Sequence, residues 1–137
     1  MMNKRQKGRQ FEYWCRNWLQ KQGYIVHLAG KKAIKLGDKI IFSGNDLFGF
    51  ADLIAIKPKG DDCPSGEIRL IQVSLHGSKK KREEKVPQIT WPDNCFPELW
   101  IKAKNEVVNV NRLIDGNFKE IGKIIRGKYY SIEKEGG

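Results

Sequence analysis

Cysteine and histidine are both scarce in this 137-residue chain, with three of the first and two of the second. Cys15, Cys63 and Cys95 are odd in number, far apart and never in a Cys-x-x-Cys pair. That spacing argues against a disulfide framework and against a structural zinc cage. No apolar run reaches the roughly 18 residues that a spanning helix needs, so no membrane partner is expected. The basic stretch from Met1 to Gln10 leads into no apolar signal-peptide core, which makes an intracellular, cytoplasmic setting the expectation. A Gly-rich phosphate loop, a Gly-x-Ser-x-Gly elbow and a His-Glu-x-x-His pair are missing too. ATPase, triad-hydrolase and zinc-protease chemistry therefore lack support. With no internal repeat and no low-complexity linker, residues 1–137 read as a single domain.

Acidic residues are also in deficit. Lys and Arg number 26 against 16 Asp and Glu, a formal net charge of +10. The cations are clustered rather than spread. Lys4, Arg5, Lys7 and Arg9 precede or open the first helical segment; Lys31, Lys32 and Lys35 crowd the next loop; Lys79, Lys80, Lys81 and Arg82 follow a strand. Clustered positive charge is the footprint of a protein that meets nucleic-acid phosphates, and these eleven residues are the candidate contacts.

Phe11, Trp14, Cys15, Trp18 and Leu19 recur at helical spacing, which predicts a helix over Lys4 to Gln22 closed by Gly23. Strands are expected at Tyr24 to Leu28, Ile40 to Phe42, Ala51 to Ile56 and Ile68 to Leu75. A strand pair follows at Leu99 to Ala103 and Glu106 to Val110. Gly30 to Lys39 reads as a basic loop, and Lys79 to Lys85 as a short helix cut off by Pro87. Phe118, Ile121, Ile124 and Ile125 give the tail a weak helical stripe. Ala51 to Ile56 and Ile68 to Leu75 are nearly continuous in apolar residues, as in strands covered on both faces. The fold class expected is α/β, with an α+β sandwich as the alternative, around a mixed central sheet flanked by helices.

Three positions stand out chemically. Glu12 rims the buried stripe of the first helix. Asp52 lies at the mouth of an apolar strand, where a carboxylate is costly unless it is paired or holds a cation. In a strand, Asp52 shares a face with Ile54 and Ile56, while Ala51, Leu53 and Ala55 share the other. Gln72 offers an amide oxygen of the kind that ligates hard cations, and Ser74, two residues on, shares its face. Asp46 and His76 lie near the group in sequence, most simply as turn residues.

Taken together, these residues resemble the PD-(D/E)xK nuclease superfamily, closest to the archaeal- and phage-type Holliday junction resolvases. The resemblance spans Lys4 to Ser74. It rests on Gly8-Arg9-x-Phe11-Glu12, on Gly49-Phe50-Ala51-Asp52-Leu53-Ile54-Ala55 and on Ile68 to Val73. It implies a restriction-endonuclease-like α-β-β-β-α-β core and an endonuclease that hydrolyses DNA phosphodiester bonds with Mg²⁺ or Mn²⁺. Branched DNA as substrate, action as a homodimer, and a bacterial, archaeal or phage-encoded origin belong to the same implication. Glu12, Asp52 and Gln72 would hold the metal, Gln72 standing where the family places an acid. Ser74 stands at the position of the family's catalytic lysine. Lys79, Lys80 or Lys81 could return the missing charge through a turn. The departure at Ser74 also admits a rival, a nucleic-acid-binding module that kept the fold and lost the chemistry. A nuclease of the same fold with another target is a third reading.

Overall fold

The structure, a computed structural model, describes residues 4–29, 31–44, 47–75 and 79–132. Helix α1 (Lys4–Lys21) forms because Phe11, Cys15 and Leu19 fall one turn apart and are buried as one stripe. Gly23, at φ +94°, lets the chain reverse after it. The strands β1 (Ile25–Leu28), β2 (Lys31–Leu36), β3 (Lys39–Gly44), β4 (Leu53–Lys57) and β5 (Glu67–Ser74) follow. After the short helix α2 (Lys79–Glu83) come β6 (Cys95–Ala103), β7 (Val107–Ile114), β8 (Asn117–Ile125) and β9 (Lys128–Ser131).

Seven strands make one mixed sheet in the order β1-β4-β5-β6-β7-β8-β9, and β2 and β3 make a separate ribbon. Every neighbouring pair in the large sheet is antiparallel except β5 and β6. A parallel pair needs a crossover, and the segment containing α2 supplies it. On one face, α1 buries its stripe against Leu53, Ala55, Ile71, Val73 and Trp100. On the other, Val86 packs with Phe50, Leu70, Leu99 and Phe118. β5 is thus covered on both sides, which is why its sequence reads as an unbroken apolar run. Among the described residues no helix is long and apolar enough to cross a membrane.

One charge is deeply buried on the α1 face. Glu98, with 0 % of its side chain exposed, receives Arg69 at 2.8 Å and Arg112 at 2.7 Å. Trp100 Nε1 donates to the same carboxylate at 2.9 Å. Two guanidiniums and an indole satisfy it, and the group ties β5, β6 and β7 together.

Three expectations are corrected. The basic segment Gly30 to Lys39 is not a loop. From Lys31 on it enters an antiparallel ribbon that pairs Leu36 with Lys39 and Lys31 with Gly44. Gly37, at φ +62°, and Asp38 make a two-residue turn between strands. The tail segment Phe118 to Ile125 is not helical but is most of β8. The register pairs Asn111 with Glu120 and Val110 with Gly122, so Ile121 is an extra residue, a bulge. A bulge breaks the two-residue alternation, and the resulting spacing of Phe118, Ile121 and Ile124 imitates a helix. Ala51 does not share a face with Leu53 and Ala55. It packs on the α2 side, and they pack under α1, because the chain turns sharply just before β4.

Candidate functional site

Asp52 stands where β4 leaves the sheet. The preceding turn is closed by reciprocal backbone hydrogen bonds between Leu47 and Ala51, at 2.8 and 2.9 Å. Phe48 and Gly49 both take positive φ in it. Emerging from that turn, Asp52 donates its N–H to the Ile71 carbonyl, and its own carbonyl accepts the Ala29 N–H, both at 2.8 Å. Its carboxylate turns back onto the sheet, and Oδ2 accepts the Val73 N–H at 2.9 Å. The β4–β5 ladder ends at the pair Leu53 and Ile71. Beyond it the carboxylate takes the place of a neighbouring strand for β5. A negative charge is thereby fixed against the peptide that joins Gln72 to Val73.

Glu12 lies half-buried on α1. The Cys15 thiol registers both carboxylates: burial pushes its pKa well up, and the negative charges of Glu12 and Asp52 push it further. Both acids therefore lie within electrostatic reach of one buried side chain.

Gln72 and Ser74 point the other way. Ile71 and Val73 belong to the core under α1, so alternation turns Gln72 and Ser74 toward α2. Gln72 is 3 % exposed, and its Oε1 has no hydrogen-bond donor. The backbone thus joins Gln72 to Asp52 at the notch left by β4, while its side chain and Glu12 occupy opposite faces.

Ser74 Oγ accepts a hydrogen bond from Arg82 Nη2 at 3.1 Å. The cation beside Ser74 is Arg82; Lys79, Lys80 and Lys81 are exposed. Arg82 is half-buried near the end of α2, whereas the three lysines before it point to solvent. Glu83 fixes the segment by accepting the Phe118 N–H at 2.8 Å. Sequence reasoning did not pair Arg82 with Ser74, eight residues away, and no local pattern marks the pair.

Of the remaining candidate contacts, Lys7 and Arg9 are exposed on α1. Asp46 and His76 lie outside the described residues, as do the side chains of Lys4, Arg5, Lys31, Lys32 and Lys35.

The donors near the notch are all oxygen: two carboxylates and one amide. That chemistry suits a hard cation such as Mg²⁺ or Mn²⁺. Among the described residues no three His, Cys, Asp or Glu side chains converge on one point. The buried Gln72 oxygen without a donor is the acceptor that a cation at the notch would satisfy. Comparison with protein-family models, curated proteins and solved structures finds no match to this chain.

Proposed function

We propose that this chain is a metal-dependent DNA endonuclease of the PD-(D/E)xK type. The observation that carries the proposal is the Asp52 carboxylate pinned to the Val73 N–H, one peptide from a buried Gln72 amide oxygen that lacks a donor. Leaving a buried acceptor unmatched costs about 1–3 kcal/mol, and a cation is one partner that removes the penalty. The order of elements supports the family likeness. With the separate β2–β3 ribbon set aside as an insertion between β1 and β4, α1, then antiparallel β1, β4 and β5, then α2, then β6 parallel to β5 is an α-β-β-β-α-β succession.

A divalent cation held at the notch by Asp52 and Gln72 would supply a water of lowered pKa and shield the attacked phosphate; Glu12, on the opposite face from the Gln72 side chain, would reach it only around the open sheet edge. The chain's own residues do the rest. The Val73 N–H holds Asp52 in one orientation. The Arg82 guanidinium keeps a permanent positive charge at Ser74, where it can take up charge that develops on a phosphate. Removing a contributor of that kind typically lowers the rate on the order of 10²- to 10³-fold. Exposed Lys7, Arg9, Lys79, Lys80 and Lys81 would hold the DNA backbone without reading its sequence. Branched DNA as the substrate and a two-fold pair of copies as the working unit follow from the likeness.

The serine at the lysine position favours a second reading, a DNA-binding module without catalysis. Metal binding separates the two. Calorimetric titration with Mn²⁺ should show one site that Asp52→Asn and Gln72→Leu each abolish. A chain that binds DNA and releases no heat with Mn²⁺ or Mg²⁺ would be the binding module.

A further inference from the structure

We propose that the flank of α1 opposite Glu12 is a second DNA contact, a groove that takes an unpaired base of single-stranded DNA together with its neighbouring phosphates. The choice of nucleic acid as partner rests on the function proposed above; the groove itself rests on separate residues.

At 3.6 residues per turn, Phe11, Cys15 and Leu19 point into the core, Glu12 lies on one flank, and Trp14, Asn17 and Lys21 lie on the other. Between that second flank and the sheet runs a cavity of about 660 Å³, lined also by Lys102 of β6, Val108 of β7 and Arg126 in the β8–β9 turn. That volume is within the range of ligand sites.

The inner wall is aromatic and held in place. Trp18 Nε1 donates to the Gly127 carbonyl at 2.7 Å, and its ring meets Trp100 edge-on at 5.9 Å between centroids. Trp14 leans on Phe11 with 27° between the ring planes, centroids 6.4 Å apart. Even so, 37 % of Trp14 is exposed. A large apolar ring braced on one side and open to solvent is a platform on which a flat, apolar-faced group can stack.

The rim decides what that group is. Lys21, Lys102 and Arg126 line the groove against a single acid, Glu106. An aromatic platform under an excess of cations suits a base with its flanking phosphates, which is how single strands are held without regard to sequence. A base inside a duplex cannot lie on Trp14, because both of its faces are already stacked. The groove therefore selects unpaired nucleotides. A strand crossing α1 from this groove reaches the Glu12 flank, which would tie cutting at Asp52 to DNA with a single-stranded or branched portion.

Fluorescence anisotropy with a labelled oligothymidine of about eight nucleotides, within the site size of single-strand binders, tests the proposal at low salt. A duplex of the same length runs beside it. Trp14→Ala should weaken oligothymidine binding about 5- to 160-fold and leave duplex binding unchanged, and Trp14→Phe should restore most of the loss. The pair Lys21→Glu and Arg126→Glu, at exposed or rim positions, should weaken the single strand more than the duplex. If neither variant alters oligothymidine binding while the duplex still binds, the groove is not the single-strand site and the nuclease reading stands. If neither nucleic acid binds the unmutated chain, both proposals fail. An oligouridine that binds tighter than oligothymidine through Trp14 would overturn the assignment to DNA, and so would a chain that binds neither oligonucleotide but retains an acidic peptide.

Discussion

Cys15 has no proposed chemistry, yet its surroundings are set by the two carboxylates that do. Burial raises its thiol pKa first, with Glu12 and Asp52 adding to the rise. A thiol whose folded pKa lies above its unfolded value of about 8.5 keeps its proton in the fold where the unfolded chain gives it up. Its contribution to stability is therefore whole below pH of about 8.5 and is lost as pH climbs through the raised value. Cys95 and Tyr129, both raised by burial, add in the same direction. Urea unfolding across the alkaline range should thus show a falling midpoint, and Cys15→Ala should flatten the fall, whatever its effect at neutral pH. An equal fall in the variant would place the burden on the other groups. At this scale the sequence was legible where a residue broke its local pattern, as Asp52 does beside an apolar strand. It was less legible where the partner came from elsewhere. Nothing local to Ser74 pointed to Arg82, and nothing local to Glu98 pointed to Arg69 and Arg112.

The element that builds the site is the β4–β5 hairpin, because it sets Asp52 against the peptide after Gln72. Its loop closes on Gly66, at φ +68°, where an added Cβ would lie 2.9 Å from the Lys57 carbonyl oxygen and 3.3 Å from the Lys59 nitrogen. Gly66→Ala should therefore destabilise the chain by about 1–2 kcal/mol for the left-handed backbone alone, read by urea unfolding. Gly60→Ala, in the same loop with open space around it, should do far less. Equal losses at the two positions would mean that the close approach to Lys57 is not maintained. Elements with clean periodicity were readable: α1 by its buried stripe, β5 by its two-sided apolar run. The β2–β3 ribbon was not, because four lysines in 31–40 outweighed the Gly37-Asp38 turn signal. β8 was misread because the bulge at Ile121 replaces a period of two with a false period of three. β9, four exposed residues on the sheet edge, carries almost no pattern to read.

At the scale of the whole molecule, a net charge of +10 sits on a mixed sheet whose two faces carry different parts of the proposed chemistry. Glu12 and the Trp14 groove flank α1; Gln72, Ser74 and Arg82 lie toward α2; Asp52 stands at the notch between the faces. The sequence order of the site residues was legible, because each falls at a strand or helix position that chain order alone reveals. Their division between faces was not, since it depends on where β4 leaves the sheet and on the turn before Asp52. The central claim is that this notch cuts DNA with a divalent cation. Incubation of the unmutated chain with labelled duplex, nicked, flapped and four-way DNA tests it most directly, with Mg²⁺ or Mn²⁺ present and then with a chelator. Asp52→Asn runs on the same substrates. The prediction is metal-dependent cleavage that the chelator and Asp52→Asn each abolish, with DNA binding by Asp52→Asn intact or stronger because a negative charge near phosphate is gone. Cleavage at an equal rate by Asp52→Asn, or no cleavage of any of the four substrates by the unmutated chain, would contradict it.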